Sequence, residues 1–66
     1  MKYTNNLKAI RIEKGLTQRQ VATLMNMQCE SRLSMWENGT SMPSIENLFH
    51  LGKIYNVLPH EIYTEL

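Results

Sequence analysis

The sequence lacks several features that define whole classes of protein. It has a single cysteine, Cys29, so no disulfide can form within the chain, whereas a small secreted domain would usually carry several pairs. No apolar stretch approaches the roughly 18 residues of a membrane-spanning helix. The polar start of the chain, with no apolar run behind it, does not look like a secretory signal. We therefore expect a protein of the reducing cytoplasm that makes no membrane contact.

Patterns that bind cofactors or perform catalysis are missing as well. The chain has only three glycines, and no glycine-rich phosphate loop or nucleophile elbow occurs. His50 and His60 have no cysteine or carboxylate partner at the spacing of metal ligands. Cys29 precedes a predicted helix, whose N-terminus would favour the thiolate, but a small residue that fits the turn is the simpler interpretation. The sequence thus predicts no enzyme, no cofactor, no metal and no small-molecule substrate.

Charge is present but unevenly distributed. The chain as a whole carries a net charge of +1. Residues 1–36 hold six basic and two acidic side chains, a net charge of +4, whereas residues 37–66 hold one basic and four acidic side chains, a net charge of −3. This asymmetry indicates either that one face of the protein meets an anionic partner or merely that the surface is uneven, and charge alone does not separate the two.

Glycine and proline divide the chain into short pieces, whose apolar residues recur with helical rather than alternating periodicity. Gly15 and Gly39 are typical of residues that follow a helix C-terminus, and Pro43 disfavours helix at the residue before it. The pattern predicts five helices, at about 5–14, from 17, at about 30–37, from 45 and from 59, and no strands. We expect a single all-α domain over residues 1–66, since none of these helices is apolar enough to be stable alone.

Individual residues indicate how these helices begin and which sides are buried. Residues 17–20 fit a capping box, in which threonine and glutamine side chains each bond the other residue's backbone N–H. Leu33 and Trp36, three residues apart, predict the buried side of the third helix. Trp36 should anchor the core against Leu7, Val21 and the fourth helix. The buried face of the fourth helix is predicted to comprise Ile45, Leu48, Phe49 and Gly52, widened by Leu51, Ile54 and Tyr55.

Residues 17–39 have the plan of a helix-turn-helix, in which two short helices meet at an abrupt turn and the second enters the major groove of DNA. The outer side of this second helix carries short polar side chains, which can approach base edges closely, although an ordinary solvated face is the alternative. Its residues are Glu30, Ser31 and Ser34, with Arg32 and Met35 at the edges.

Four groups of residues follow one another along nearly the whole chain, from about Leu7 to Ile62. They are Leu7-Lys8-Ala9-Ile10-Arg11 with Lys14-Gly15-Leu16-Thr17-Gln18, then Val21-Ala22, then Leu33-Ser34-Met35-Trp36-Glu37-Asn38-Gly39, and finally Pro43-Ser44-Ile45-Glu46-Asn47-Leu48. Each group is weak alone, but in this order and spacing they resemble the helix-turn-helix family of phage repressors, Cro proteins and Xre-type bacterial regulators. The resemblance implies a compact five-helix, lambda-repressor-like fold.

The resemblance also implies roles for the matching positions. Positions that read base edges from the third helix are matched by Glu30, Ser31, Arg32 and Met35, with Arg32 suited to guanine and Met35 to a thymine methyl. Gln18 and Asn38 match positions that contact the DNA backbone, and the basic side chains of Lys8 and Arg19 are expected to face phosphates as well. Arg11 and Glu37 resemble an ion pair that ties the first helix to the end of the third.

The chain departs from the family pattern in three places. It has one residue more than usual within 26–30, so either the turn is wider or the third helix starts one residue later. Leu58 stands where a capping serine is common, which predicts a frayed fifth helix. Leu24 lies at a position that is usually polar and exposed.

These features predict a sequence-specific transcriptional regulator, expected to be a repressor, that binds double-stranded DNA as a homodimer on a palindromic site. A dimer is expected because one module of this size reads only a few base pairs. The alternative is a protein-binding helix-turn-helix module such as an antitoxin. Its apolar contact surface would comprise Leu24, Met27, Met35 and Met42. Salt separates the two, since binding to DNA weakens steeply as salt is added.

Overall fold

The computed structural model of the protein describes residues 3–65 and contains the five predicted helices. In chain order the elements are β1 (Tyr3–Asn5), α1 (Leu7–Glu13), α2 (Gln18–Leu24), α3 (Ser31–Asn38), α4 (Ile45–Tyr55), α5 (Pro59–Ile62) and β2 (Tyr63–Glu65). The predicted helical architecture is therefore confirmed. Across residues 3–65, every helix is too short or too polar to cross a membrane.

The prediction that the chain has no strands is wrong at its two ends. β1 and β2 pair as an antiparallel ribbon, with Thr4 opposite Thr64. Asn6 joins the ribbon to α5, because its Nδ2 donates to the Glu61 carbonyl at 3.0 Å and to Thr64 Oγ1 at 3.1 Å. Strands of three residues are too short to show the alternation that identifies a strand in a sequence. The ribbon also moves the start of α1 from the predicted Asn5 to Leu7, since Asn5 belongs to β1.

Local signals in the sequence set the other helix ends. The capping box of α2 is present, with the Gln20 N–H donating to Thr17 Oγ1 at 3.1 Å and the Thr17 N–H donating to Gln20 Oε1 at 2.8 Å. Gly39 ends α3 in the left-handed conformation, at a φ of 80°. α5 forms in spite of the apolar residue before it, because the Glu61 carboxylate accepts the Leu58 N–H at 2.7 Å.

The core lies where all five helices meet. Its buried side chains are Leu7, Val21, Met25, Leu33, Trp36, Leu51, Tyr55 and Ile62. Trp36 is only 3% exposed and belongs to the same cluster as Leu7, Val21 and the buried residues of α4, so its predicted place in the core is confirmed.

The predicted buried face of α4 is only partly correct. Leu51 and Tyr55 are fully buried, whereas Ile45 is 74% and Phe49 is 56% exposed. Ile45 and Phe49 share the helical spacing of an inward face, so periodicity alone could not separate the two sides of this apolar helix. The buried face instead comprises Leu51, Gly52 and Tyr55, with Leu48 half-buried beside them. The adjoining apolar strip of Ile45 and Phe49 is left in solvent.

Gly52 lies where the chain folds back after α4. The Asn56 residue that caps this helix has a φ of 58°, and the Val57 N–H donates to the Gly52 carbonyl at 2.9 Å. A Cβ at position 52 would come within 2.8 Å of the Val57 carbonyl oxygen. Glycine is therefore required by the close approach of two backbone segments.

Tyr55 makes the stability of the protein sensitive to alkaline pH. Its hydroxyl is buried without a hydrogen-bond partner among residues 3–65, and burial, reinforced by the nearby Glu37 charge, raises its pKa to about 12. Tyrosine in the unfolded chain ionises near pH 10, with a pKa of about 10. Between these two values the unfolded state releases a proton that the folded state keeps. The free energy of unfolding should therefore fall by roughly 2–3 kcal/mol as the pH rises from 10 to 12.

Tyr55→Phe removes this titration, so denaturant melts of the variant should show a shallower alkaline decline than the wild type. At pH 7 the variant should be at least as stable as the wild type, because it also loses a buried unpaired hydroxyl. Tyr3→Phe, at an exposed position, is the matched control and should decline as the wild type does. Equal losses in the wild type and Tyr55→Phe would contradict the assignment.

Candidate nucleic-acid interface

A six-residue turn, residues 25–30, carries the chain from α2 to α3. Asn26 adopts the left-handed conformation at a φ of 61°, and the Met27 N–H donates to the Ala22 carbonyl at 2.9 Å. This arrangement is a common way to close a helix C-terminus. The extra residue of the chain is absorbed here, because α3 begins at Ser31 and Glu30 becomes its N-cap residue. α3 thus starts one residue after the predicted Glu30.

A shallow cavity runs along the open side of α2 and α3. Its lining residues are Gln18, Arg19, Cys29, Glu30, Ser31, Ser34 and Met35. The cavity brings three of the four predicted base-reading residues beside two of the four predicted phosphate contacts. Two lining residues, Cys29 and Ser34, were not among the predicted site residues. Ser34 lies three residues after Ser31, and this helical spacing already indicated that the two share one side of α3. The position of Cys29 at the cavity depends on the path of the turn, which the sequence pattern did not indicate.

Arg32 lies apart from this cavity. Its guanidinium carbon lies 5.4 Å from the centroid of the Trp36 ring, a cation–π distance. Trp36 is itself buried and held by the core, so its ring gives the arginine a rigid support. Arg32 thus rests on Trp36 outside the cavity, so the predicted base-reading residues are not all brought together there.

Lys8 and Asn38 are also separate from the cavity. Lys8 is an exposed residue near the start of α1, and Asn38 is the exposed last residue of α3. The predicted phosphate contacts therefore lie on three helices, α1, α2 and α3, instead of all lining one cavity. Such a distribution suits a curved polyanion more than a small anion.

Glu37 connects α1, α2 and α3. Arg11 donates from Nε to Glu37 Oε2 at 2.7 Å and from Nη2 to Glu37 Oε1 at 3.2 Å. Gln18 Nε2 donates to the same Oε1 at 3.0 Å. The Arg11 and Glu37 side chains are only 11% and 1% exposed. This network holds the first residue of α2 against the last turn of α3.

The electrostatics of this network favour the charged pair. The hydrogen bond to Glu37 raises the pKa of the Arg11 guanidinium, against the opposing effect of burial. A third donor of Arg11, Nη1, reaches the Leu16 carbonyl at 3.0 Å. Because these bonds satisfy a charge that is largely removed from water, the arginine is fixed in one geometry.

Gln18 has a structural partner that the sequence did not indicate. Its side-chain amide, which has two donor hydrogens, directs one of them at Glu37. A residue expected only to contact DNA therefore also fixes the angle between α2 and α3. Its two roles are compatible, since the bond to Glu37 orients the amide beside Arg19 at the edge of the cavity.

Cys29 is exposed at the rim of the cavity, just before α3. Its thiol lies 3.5 Å from Ser31 Oγ. Hydrogen bonding with the Ser31 side chain and backbone lowers the pKa of the Cys29 thiol. The cysteine thus adds a small polarisable group to the same surface as Glu30 and Ser31.

Comparison with known proteins agrees with this geometry. A family model described as helix-turn-helix matches residues 7–62. The chain belongs to the Xre/Cro-type helix-turn-helix family. The matched span runs from the start of α1 to the end of α5, so the ribbon strands β1 and β2 lie outside it. No curated protein matches the chain significantly.

A solved structure resembles this helix-turn-helix protein closely in fold. It is the crystal structure of a candidate DNA-binding protein from Bacteroides fragilis, with a TM-score of 0.86 and 28% sequence identity. The match covers 96% of this chain and 100% of that chain. The two folds therefore agree over the whole domain, including the helices that form the candidate interface.

Proposed function

We propose that this helix-turn-helix protein is a sequence-specific transcriptional regulator, acting as a repressor, that reads the major groove of double-stranded DNA with α3. The observation that carries the proposal is the cavity along α2 and α3, together with the Glu37 network that fixes those helices. A rigid helix pair with one open polar side is what insertion into a groove requires.

The dimensions and side chains of α3 support this function. Its eight residues span about 12 Å at about 1.5 Å per residue, which is comparable to the width of the major groove. Ser31 and Ser34 are short, so the backbone of α3 can approach base edges closely. Met35 is 41% exposed and offers an apolar contact for a thymine methyl. Glu30 can accept from the amino group of cytosine, and it repels misaligned phosphates, which favours discrimination between sequences.

The phosphate contacts in this proposal surround α3. Arg19 and Gln18 flank it at the start of α2, Lys8 lies on α1, and Asn38 lies at its C-terminal end. Contacts to phosphates position a protein on DNA without reading sequence, so these four residues set the register of α3.

The DNA target is proposed to be a palindrome bound by two copies of the chain, because a single α3 reads too few base pairs to be selective in a genome. Selection of bound sequences from a pool of random duplexes tests this directly. The expected result is a sequence with two-fold symmetry and half-sites about one helical turn apart. Enrichment of no sequence over the starting pool would refute the proposed function.

Alanine substitutions at Arg32 and at Arg19 should weaken DNA binding in different ways. Arg32→Ala is expected to cost about 1–3 kcal/mol on the selected site and to relax the preference at one base position. Arg19→Ala should weaken all sequences alike and reduce the slope of log affinity against log salt by about one. Titrations of matched and mismatched duplexes at several salt concentrations measure both effects.

The stacking of Arg32 on Trp36 makes a folding control necessary. Thermal melts of both variants should stay near the wild type, since an exposed cation–π contact contributes only about 0.5–1 kcal/mol. Arg32→Lys keeps the charge but loses the planar fork, so it should behave like Arg32→Ala if the arginine reads a base. A uniform loss over all sequences in both alanine variants would show that α3 does not read the groove as proposed.

The protein-binding alternative has weaker support. Met27 packs against the core, and the exposed Leu24 and Met35 line two different cavities, so these three residues do not share one exposed surface. High-affinity binding to a protein that persists unchanged as salt is raised, together with no duplex selected, would favour this alternative.

A further inference from the structure

An apolar strip on α4 lies in solvent, away from the candidate DNA surface. Ile45 is 74% exposed and Phe49 is 56% exposed, and their spacing of four residues puts them on one face of the helix. Leu58, 58% exposed, lines the same cavity as Phe49. None of these residues lines the cavity along α2 and α3. The three side chains form one exposed apolar surface, here called the α4 surface.

Two opposite charges flank Phe49 on this surface. Glu46 lies in the first turn of α4 and Lys53 lies in the last turn. At about 1.5 Å per residue, Glu46 comes about 4.5 Å before Phe49 and Lys53 about 6 Å after it. The two charges are seven residues apart, which places them nearly on one line along the helix. Along α4 a negative charge therefore comes before Phe49 and a positive charge comes after it.

We infer that the α4 surface is the two-fold interface through which two copies of this chain pair, with their α4 helices antiparallel and Phe49 near the axis. In a two-fold interface every contact between two different residues occurs twice, because each copy supplies both residues. Antiparallel pairing about Phe49 brings Glu46 of one copy opposite Lys53 of the other, and it does so twice. The Phe49 rings of the two copies meet near the centre, covering Ile45 and Leu58.

A second copy fits this surface better than an unrelated partner, because the charge pattern is complementary to itself when reversed. A parallel arrangement would instead oppose Glu46 to Glu46 and Lys53 to Lys53. The surface is small beside the roughly 800 Å² per partner of a standard interface, so a reversible dimer in the micromolar range is expected. The inference rests on the proposed function, since it supplies the pairing that a palindromic site requires while leaving α3 open to DNA.

Sedimentation equilibrium of the free chain tests the interface without DNA. The wild type should self-associate with a dissociation constant of roughly 1–100 μM, and Phe49→Glu should raise that constant by at least about 30-fold, because it places two like charges at the centre. Ile12→Glu, a change at an exposed apolar residue of α1, is the matched control and should dimerise as the wild type does. Both substituted residues are exposed, so both variants should stay folded.

A charge exchange tests the antiparallel register. Glu46→Lys and Lys53→Glu should each weaken the dimer about tenfold, because each opposes like charges twice. The double variant Glu46→Lys/Lys53→Glu should return to near the wild-type constant. If the two charges only complement the dipole of α4, the double variant should melt at the lowest temperature and show no recovery of dimerisation. Recovery thus supports the interface, and its absence refutes the register.

Failure of this inference can be told from failure of the proposed function. A wild type that remains monomeric at about 1 mM, yet selects a DNA sequence, overturns the α4 interface and leaves DNA reading intact. A wild type that dimerises through Phe49 but selects no DNA overturns the proposed function alone. With both correct, Phe49→Glu should bind a single half-site as the wild type does and lose its preference for the full palindrome.

Discussion

Glu37→Gln should lower the free energy of unfolding by about 3–5 kcal/mol, because it strands the charge of Arg11 in a largely buried position. Arg11 directs two donors at the Glu37 carboxylate, at 2.7 and 3.2 Å, and Gln18 adds a third. A glutamine at position 37 has nearly the same shape, but its amide nitrogen would face one of these donors. The substitution therefore replaces an attraction by a donor–donor conflict.

Chemical denaturation followed by circular dichroism measures this loss. Glu13→Gln, at the exposed end of α1, is the matched control and should stay within about 0.5 kcal/mol of the wild type. Replacing both charges, as Arg11→Met/Glu37→Leu, should recover much of the stability, since neither charge is then left unpaired. Melting and DNA affinity of Glu37→Gln that both match the wild type would refute the role of the network.

The same variants connect stability to DNA reading. Glu37 holds Gln18 at the start of α2 against the last turn of α3, so the double replacement should remain folded while the angle between these helices becomes less fixed. We expect the double variant to bind the selected DNA site more weakly than the wild type by more than its loss of stability explains. The reason is that a small displacement of α3 relative to α2 moves the DNA-contacting side chains out of position.

Trp36→Ala should unfold the protein at room temperature or leave it marginally folded. Removing a buried tryptophan side chain typically costs about 3–5 kcal/mol, and a domain of this length has little more than that in reserve. Trp36 is 3% exposed, and it packs in the cluster that contains Leu7, Val21, Leu33 and Leu51. The substitution also removes the ring on which Arg32 rests.

Far-ultraviolet circular dichroism is the required measurement, because Trp36 is the only tryptophan and its removal abolishes the tryptophan fluorescence signal. Trp36→Phe keeps an aromatic ring and should be destabilised less than the alanine variant. Ile12→Ala, at a residue that is 59% exposed, is the matched control and should change stability by less than about 1 kcal/mol. A cooperative melt of Trp36→Ala within a few degrees of the wild type would contradict this place for Trp36 in the core.

Sequence reasoning predicted best the features that depend on neighbours along the chain. The capping box between Thr17 and Gln20 and the left-handed residue Gly39 both act over three or four residues, so their residue types are sufficient to identify them. The pairing of Arg11 with Glu37 is different, since 26 positions separate the two residues and only the family resemblance indicated it. The extra residue before α3 was visible as an insertion, but its effect on the helix start was not.

Contacts between distant segments could not be predicted in the same way. The ribbon pairs Thr4 with Thr64, and a hydrogen bond between the two ends of a chain has no local signature. Arg32 and Gln18 were both assigned to DNA, yet one also rests on Trp36 and the other also donates to Glu37. Long polar side chains reach several partners, and the choice among them depends on which elements pack nearby.

By itself, the sequence determined the five helices, most of their ends, the core position of Trp36 and the helix-turn-helix family of the protein. These follow from propensity, capping and apolar spacing, which are properties of a short stretch of chain. Only the tertiary structure decided which side of α4 is buried, leaving Phe49 in solvent and Tyr55 in the core. The physical reason is that the apolar residues of α4 cover a wider arc than the core can bury, so its orientation depends on the space left by the other helices and on the close approach of Val57 to Gly52.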